Sequence, residues 1–242
     1  MQRPLTRSDL AKRAAGEKAA AMVESGMRLG LGTGSTAAWF VRALGARIRA
    51  GELTGIVGVP TSIATGKLAE HEKVPITTLD EAGWLHLTVD GADEIDPDLT
   101  LIKGGGGALL QEKIVACASD RMVVIADAGK RVDHLGAFPL PIEMVPFGWE
   151  TTKAIVEEVL KDCAVEGRRT TLRLARDTPF LTDGGHLILD LHCGRIDNPA
   201  RLSAKLTAIP GVIETGLFVG IADAAIIGHP EGETETIDRP KP

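Results

Sequence analysis

Tyrosine is absent from this 242-residue chain and aromatic residues make up only 3% of it, so the stacking surfaces that single-stranded nucleic acids use are missing. A basic excess is missing too. The formal net charge is −6, which argues against a general nucleic-acid binder but leaves room for a small anionic ligand held by a few cations and amides. The three cysteines (Cys117, Cys163, Cys193) form no CxxC pair and no disulfide framework, which points to a reducing cytoplasm. No apolar run approaches membrane-spanning length, and the N-terminus lacks the apolar centre of a signal peptide. His86 and His134 are dispersed without HxH or HExxH spacing, which speaks against zinc, and no GxSxG elbow occurs. No internal repeat is present.

Glycine, by contrast, is plentiful, and it is concentrated where it costs most. In "KGGGGALLQEK", Lys103 is followed by four glycines and then by Glu112. A glycine tetrad carries a heavy entropic penalty in a folded chain. Either the run is a turn between a strand and a helix, or it lets backbone amides approach a ligand.

The first half alternates short apolar runs ("MRLGLG", "GIVGVP", "ITTL", "LHLTVD", "MVVIAD") with helical stretches. This predicts an α/β domain with a mostly parallel sheet, whose ligands gather at the carboxyl ends of the strands. Ser8 is the expected cap of a first helix running to about Glu24 and ending at Gly26. After residue 135 the order becomes β-α-β-β-α-β, the pattern of a smaller α+β, ferredoxin-like unit over 136–218. "ADAAIIG" then returns to the first domain (1–135 and 219–230), and 231–242 reads as a flexible tail.

Three loops that follow strands carry the polar residues of interest. Thr33, Gly34, Ser35 and Thr36 combine glycines, hydroxyls and a helix N-terminus, which makes a phosphate cradle or an ordinary capped helix. Asp90, Gly91, Ala92, Asp93, Glu94 and Asp96 supply acceptors for hydroxyls or one or two ligands for magnesium. The calcium-loop pattern fails there, and Glu94 and Asp96 are readily structural. The third loop is the glycine run. Leu110, Ile114 and Cys117 recur at helical spacing and define an expected buried face, leaving Glu112 on another face near the helix start. Lys130 follows a further strand, while Lys12 and Arg13 read as surface cations.

Taken in order, "GLGTGSTA", "TVDGADEID", "LIKGGGGAL", "QEK", "IADAGK", "FPLPIEMVP" and "IPGVIETGLF" resemble ribose-5-phosphate isomerases of the A type over nearly the whole chain. The resemblance implies a Rossmann-like domain carrying an inserted α+β domain, and an aldose–ketose isomerisation between D-ribose 5-phosphate and D-ribulose 5-phosphate without a metal or organic cofactor. It also implies a homodimer or homotetramer. Position by position, it implies Glu112 as proton acceptor, with Asp90, Asp93 and Lys103 also catalytic. Substrate binding would fall to Thr33, Gly34, Ser35, Thr36, Asp90, Gly91, Ala92, Asp93, Lys103, Gly104, Gly105, Gly106 and Lys130. Gly107 stands where many relatives carry alanine. Two other readings remain at this level: a coenzyme A transferase using Glu112 as nucleophile, and a non-catalytic sugar-phosphate sensor.

Overall fold

Thr6 starts the first element. Its hydroxyl accepts from the Asp9 N–H at 3.1 Å, and the Asp9 carboxylate accepts from the Thr6 N–H at 3.0 Å, a reciprocal cap for α1 (Arg7–Ala20). Ser8, the expected cap, lies inside the helix: three residues beyond it stands Ala11, which has no carboxylate to return the bond. The helix ends at Ala20 rather than Glu24, and Gly26 turns the chain at φ +84°. The structure is a computed structural model that describes residues 4–240.

In chain order follow β1 (Arg28–Leu31), α2 (Ala37–Arg49), β2 (Val57–Pro60), α3 (Ile63–His71), α4 (Leu79–Ala82) and β3 (Leu87–Asp90). Next come β4 (Glu94–Ile95), β5 (Leu101–Ile102), α5 (Leu109–Cys117), β6 (Met122–Asp127), β7 (Leu140–Met144) and α6 (Trp149–Lys161). The remainder is β8 (Arg169–Leu172), β9 (Leu174–Ala175), β10 (Thr178–Pro179), β11 (Leu187–His192), α7 (Pro199–Thr207), β12 (Val212–Thr215), β13 (Leu217–Phe218), β14 (Ala224–Gly228) and β15 (Thr234–Asp238). These elements form two units. One takes in the chain up to Ala92, Gln111–Lys130 and the chain from Ile221 onward; the other takes in Asp93–Leu110 and Arg131–Gly220.

In the first unit a six-stranded sheet runs β15-β14-β6-β3-β1-β2. All neighbours are parallel except the β14–β15 pair. Buried Ala37, Phe40, Val41, Leu44 and Gly45 make one face of α2, the spacing of an amphipathic helix. α1 buries only small residues, because it approaches its neighbours closely: a Cβ on Gly16 would stand 2.7 Å from the Phe40 nitrogen. The core joins these helices to Leu29, Leu31, Val89, Val123 and Ile125 of the sheet.

Sequence expectation and structure part at four places here. "ITTL" is not a strand: only Ile76 bridges to Gly58, and Thr78 caps α4 with Glu81 in return. The tail is not frayed where it is described, since Thr234–Asp238 pairs antiparallel with β14. Alternating threonines and an isoleucine suit an edge strand despite the flanking acids; Lys241 and Pro242 lie outside the described residues. The boundary expected at 135/136 falls at Lys130/Arg131, and residues 93–110 join the second unit. Lastly, α5 buries the opposite face. Leu109, Glu112, Val115 and Ala116 are buried, whereas Ile114 is 48% exposed and Cys117 is exposed. Two apolar stripes compete on this helix, and the one interrupted by a carboxylate is the one turned inward.

The second unit contains a four-stranded antiparallel sheet, β12-β7-β11-β8, with α6 and α7 in the connections. Thr152, Val156 and Leu160 line the buried face of α6, and Leu202 and Leu206 that of α7. "LTLIK" contributes β5, the centre of a small antiparallel sheet β13-β5-β4 rather than a member of the parallel one. "GVIETGLFVG" is accordingly two strands, β12 and β13, in different sheets. Among the described residues, no helix is long and apolar enough to cross a membrane.

Thiol chemistry reads out these placements. Burial, aided by Cys163, pushes the Cys193 thiol up to about 12, so it stays protonated at pH 8. Native protein treated with a disulfide reagent at pH 8 should show a fast thiol that Cys117→Ser removes, while Cys193 reacts only after denaturation. Rapid native labelling of Cys193, or a protected Cys117, would contradict the faces assigned here.

Candidate active site

In a parallel sheet every loop that follows a strand emerges at the same edge. In the first unit, that edge collects Thr33–Thr36 after β1, Thr61 and Ser62 after β2, Asp90 at the end of β3 and Lys130 after β6. Asp90 is fully buried. Its Oδ1 accepts N–H bonds from Thr33 at 3.0 Å and Gly91 at 2.7 Å, tying the loop after β1 to the end of β3. A Cβ at Gly32 would lie 2.2 Å from that oxygen, so only glycine lets the strands reach this register.

The loop between β1 and α2 divides its hydroxyls. Thr33 Oγ1 lies 2.7 Å from Thr61 Oγ1, 2.8 Å from Ser62 Oγ and 3.1 Å from Thr65 Oγ1, a hydroxyl cluster that fixes the loop from below. Gly34 has φ +109°, and nothing stands within 4 Å of where its Cβ would be. Ser35 is exposed. Thr36 occupies the N-cap position of α2 without making a side-chain cap bond, and no acidic residue stands in the first turn. The helix start therefore keeps the character of an anion site instead of being neutralised from within.

Helix α5 is threaded by its contacts along β3. Leu85, before β3, donates its N–H to the Ala118 carbonyl at 2.8 Å. A Cβ on Gly30 would meet Val115 Cγ1 at 2.6 Å, and Thr88 Oγ1 faces the Val115 carbonyl, so Val115 lies over mid-strand. One helical turn earlier, about 5 Å along the axis, Glu112 arrives at the carboxyl edge. It is 4% exposed, and its Oε2, like Asp90 Oδ2, is shielded from solvent.

The second unit holds the other candidates. Lys103, 2% exposed, follows β5, donates its N–H to the Gly216 carbonyl at 2.9 Å and sets Nζ 5.4 Å from the Phe218 ring centroid. An ammonium on an aromatic face gains about 0.5–2 kcal/mol. Gly104 and Gly107 take φ +99° and +79°, and the Gly107 N–H closes a turn on the Gly104 carbonyl at 3.0 Å. Gly105 donates to Asp93 Oδ2 at 2.7 Å. The other acids of this loop are structural. Glu94, buried, accepts from the Gly136 and Phe138 amides at 2.7 and 2.5 Å, and Asp96 accepts from Asp98 and Thr100 at 3.0 and 2.8 Å. Burial pushes the Asp96 carboxyl up, against those N–H bonds. Among the described residues, no group of three or more His, Cys, Asp or Glu is arranged to hold a metal ion.

The family profile of ribose 5-phosphate isomerase A (phosphoriboisomerase A) matches residues 57–232. The chain belongs to that family. Ribose-5-phosphate isomerase A of Ruegeria pomeroyi is 59% identical over 230 residues, 95% of this chain and 87% of the relative. A solved D-ribose-5-phosphate isomerase in complex with phospho-erythronic acid is 42% identical with a TM-score of 0.88, over 95% of this chain and 98% of that one. Ribose 5-phosphate isomerase from Plasmodium falciparum is 33% identical with a TM-score of 0.90, over 96% and 100%. Neither the coenzyme A transferase nor the sensor reading finds support among these relatives.

For this member of the ribose 5-phosphate isomerase A family, sequence reasoning overlooked Thr61, Ser62 and Thr65. The signal was present: "VPTSIAT" is another hydroxyl-rich loop after a strand, with Ser62 capping α3. The glycine loop supplies a test. Gly107→Ala adds a side chain in left-handed backbone, with its Cβ 2.5 Å from the Phe180 ring. Thermal unfolding should show a loss of about 1–3 kcal/mol, only partly relieved by trimming the ring in Gly107→Ala/Phe180→Ala. An unchanged Tm would refute this account of the turn.

Proposed function

We propose that the chain interconverts D-ribose 5-phosphate and D-ribulose 5-phosphate, an aldose–ketose isomerisation of the pentose phosphate pathway. Glu112 carries the reading: a buried first-turn carboxylate that its helix delivers to the ligand-binding edge of a parallel sheet.

Once the furanose is open, C2 of the aldose is acidified by its neighbouring carbonyl. Glu112 takes the C2 proton, and the electron pair moves into an enediolate whose charge spreads onto O1 and O2. The O2 hydroxyl proton passes to O1, and the same carboxylic acid returns its proton to C1 as the C2 carbonyl forms, giving the ketose. The Lys103 ammonium and the loop amides suit the developing oxyanion, a preorganised role that needs no metal. Asp93, held by the Gly105 N–H, and Asp90 are assigned to the sugar hydroxyls, whose proton shifts open the ring. The phosphate is assigned to Gly34, Ser35 and Thr36 at the start of α2, with Lys130 contributing charge. The phospho-erythronic acid held by the solved relative supports this reading, since it joins a phosphate to a carboxylate that resembles the enediolate.

Glu112→Gln keeps size and removes the base. The variant should fold normally and lose about 10²–10⁴-fold in kcat, and it should fail to exchange solvent deuterium into the sugar. Near-normal turnover in a folded Glu112→Gln protein would eliminate the mechanism. Ser35→Ala/Thr36→Ala should instead raise KM with little change in kcat, because phosphate is gripped equally in ground and transition states. A wild-type KM would move the phosphate elsewhere. Turnover should survive dialysis against EDTA; loss restored by magnesium would reject metal-free catalysis.

A further inference from the structure

The glycine loop contains no side chain that could hold its own peptide planes, yet those planes are oriented by a residue far away in sequence. Arg173, between β8 and β9, places Nε 2.9 Å from Asp190 Oδ2, and its Nη2 reaches Asp190 Oδ1, a two-pronged pair with both side chains only 16% exposed. The remaining prong, Nη1, donates to the Gly104 carbonyl at 2.8 Å and the Gly105 carbonyl at 3.2 Å. In a trans peptide the C=O and the following N–H point in opposite directions. The guanidinium on Gly104 O therefore aims the Gly105 N–H away from itself, and that N–H donates to Asp93 Oδ2 at 2.7 Å. One peptide unit is thus gripped by a cation at its oxygen and by an acidic residue at its nitrogen. The second carbonyl bond turns the Gly106 N–H the same way.

We propose that Arg173, locked by Asp190, is a positioning residue for the isomerisation: it fixes the Gly104–Gly105 peptide so that Asp93 is held in its working orientation. Without it, glycine backbone would sample both plane orientations freely, and Asp93 would lose its N–H donor for part of the time. The inference rests on the assignment of Asp93 to the sugar hydroxyls.

The test is a double-mutant cycle on ribose 5-phosphate turnover, with folding followed by thermal melts. Arg173→Gln should lower kcat by about 10–100-fold with KM within about 3-fold, since a positioning defect is felt mainly in the transition state. In an Asp93→Asn background the same change should cost less than about 3-fold, because the residue it positions is gone. Equal losses in both backgrounds, or wild-type kcat in Arg173→Gln, would overturn the proposal. Should Arg173→Gln fail to fold, Asp190→Asn keeps the guanidinium but loosens its aim, and it should show the same non-additivity at smaller amplitude; additivity there overturns the proposal equally. Wild-type turnover in Asp93→Asn alone would remove the assignment of Asp93, and the proposal with it, a failure distinct from additivity between two damaging changes.

Discussion

The Asp90 carboxylate is the constraint on which the carboxyl edge of the sheet in the first unit depends. A buried carboxylate is tolerated only if hydrogen bonds replace the water it has lost. The Thr33 and Gly91 amides do so at one oxygen, and in doing so they fix the loop after β1 against the end of β3. This arrangement demands glycine at position 32, since the carboxylate occupies the space of any Cβ there. It also holds Thr33 against the Thr61, Ser62 and Thr65 hydroxyls and leaves Ser35 exposed before the start of α2. Parallel register supplies the rest: the Gly32 N–H bonds the Val89 carbonyl at 2.9 Å, continuing the β1–β3 ladder into the loop.

The glycine tetrad answers to several demands at once. Gly104 and Gly107 need positive φ, and Gly105 needs room, since its Cβ would stand 2.7 Å from Asp93 Oδ1. The entropy that four glycines forfeit on folding is opposed by interactions from outside the loop, chiefly the Arg173 bonds to its carbonyls. Preorganisation here is therefore a tertiary property. The loop supplies amides without side chains, and a two-pronged ion pair between Arg173, at the β8–β9 junction, and Asp190 on β11 supplies their direction.

The acidic segment from Asp90 to Asp96 places its four carboxylates in different surroundings within seven residues. All four accept backbone N–H bonds, but Glu94 and Asp96 take theirs from Gly136, Phe138, Asp98 and Thr100, whereas Asp90 and Asp93 take theirs from Thr33, Gly91 and Gly105, in the loops that carry the other polar candidates. Charge and spacing alone do not distinguish these surroundings. What separates them is which amides lie within reach.

By itself the sequence determined the alternation of apolar runs and helices, and with it the mostly parallel sheet, because strand and helix periods are local properties of the chain. It also determined that the polar loops follow strands, which singled out Thr33–Thr36, Asp90 and Lys130. Only tertiary structure decided which stripe of α5 turns inward, and so that Glu112 is buried: two apolar stripes were available, and packing against Gly30 and Thr88 chose between them. Tertiary structure alone also placed "LTLIK" in a small antiparallel sheet, and made a strand of the acidic tail by offering it the free edge of β14. Arg173 had no local signature whatever, because its role is defined by two carbonyls some seventy residues away in the chain. Pairings between distant segments are settled by the energy of the whole fold, and no window of the sequence contains it.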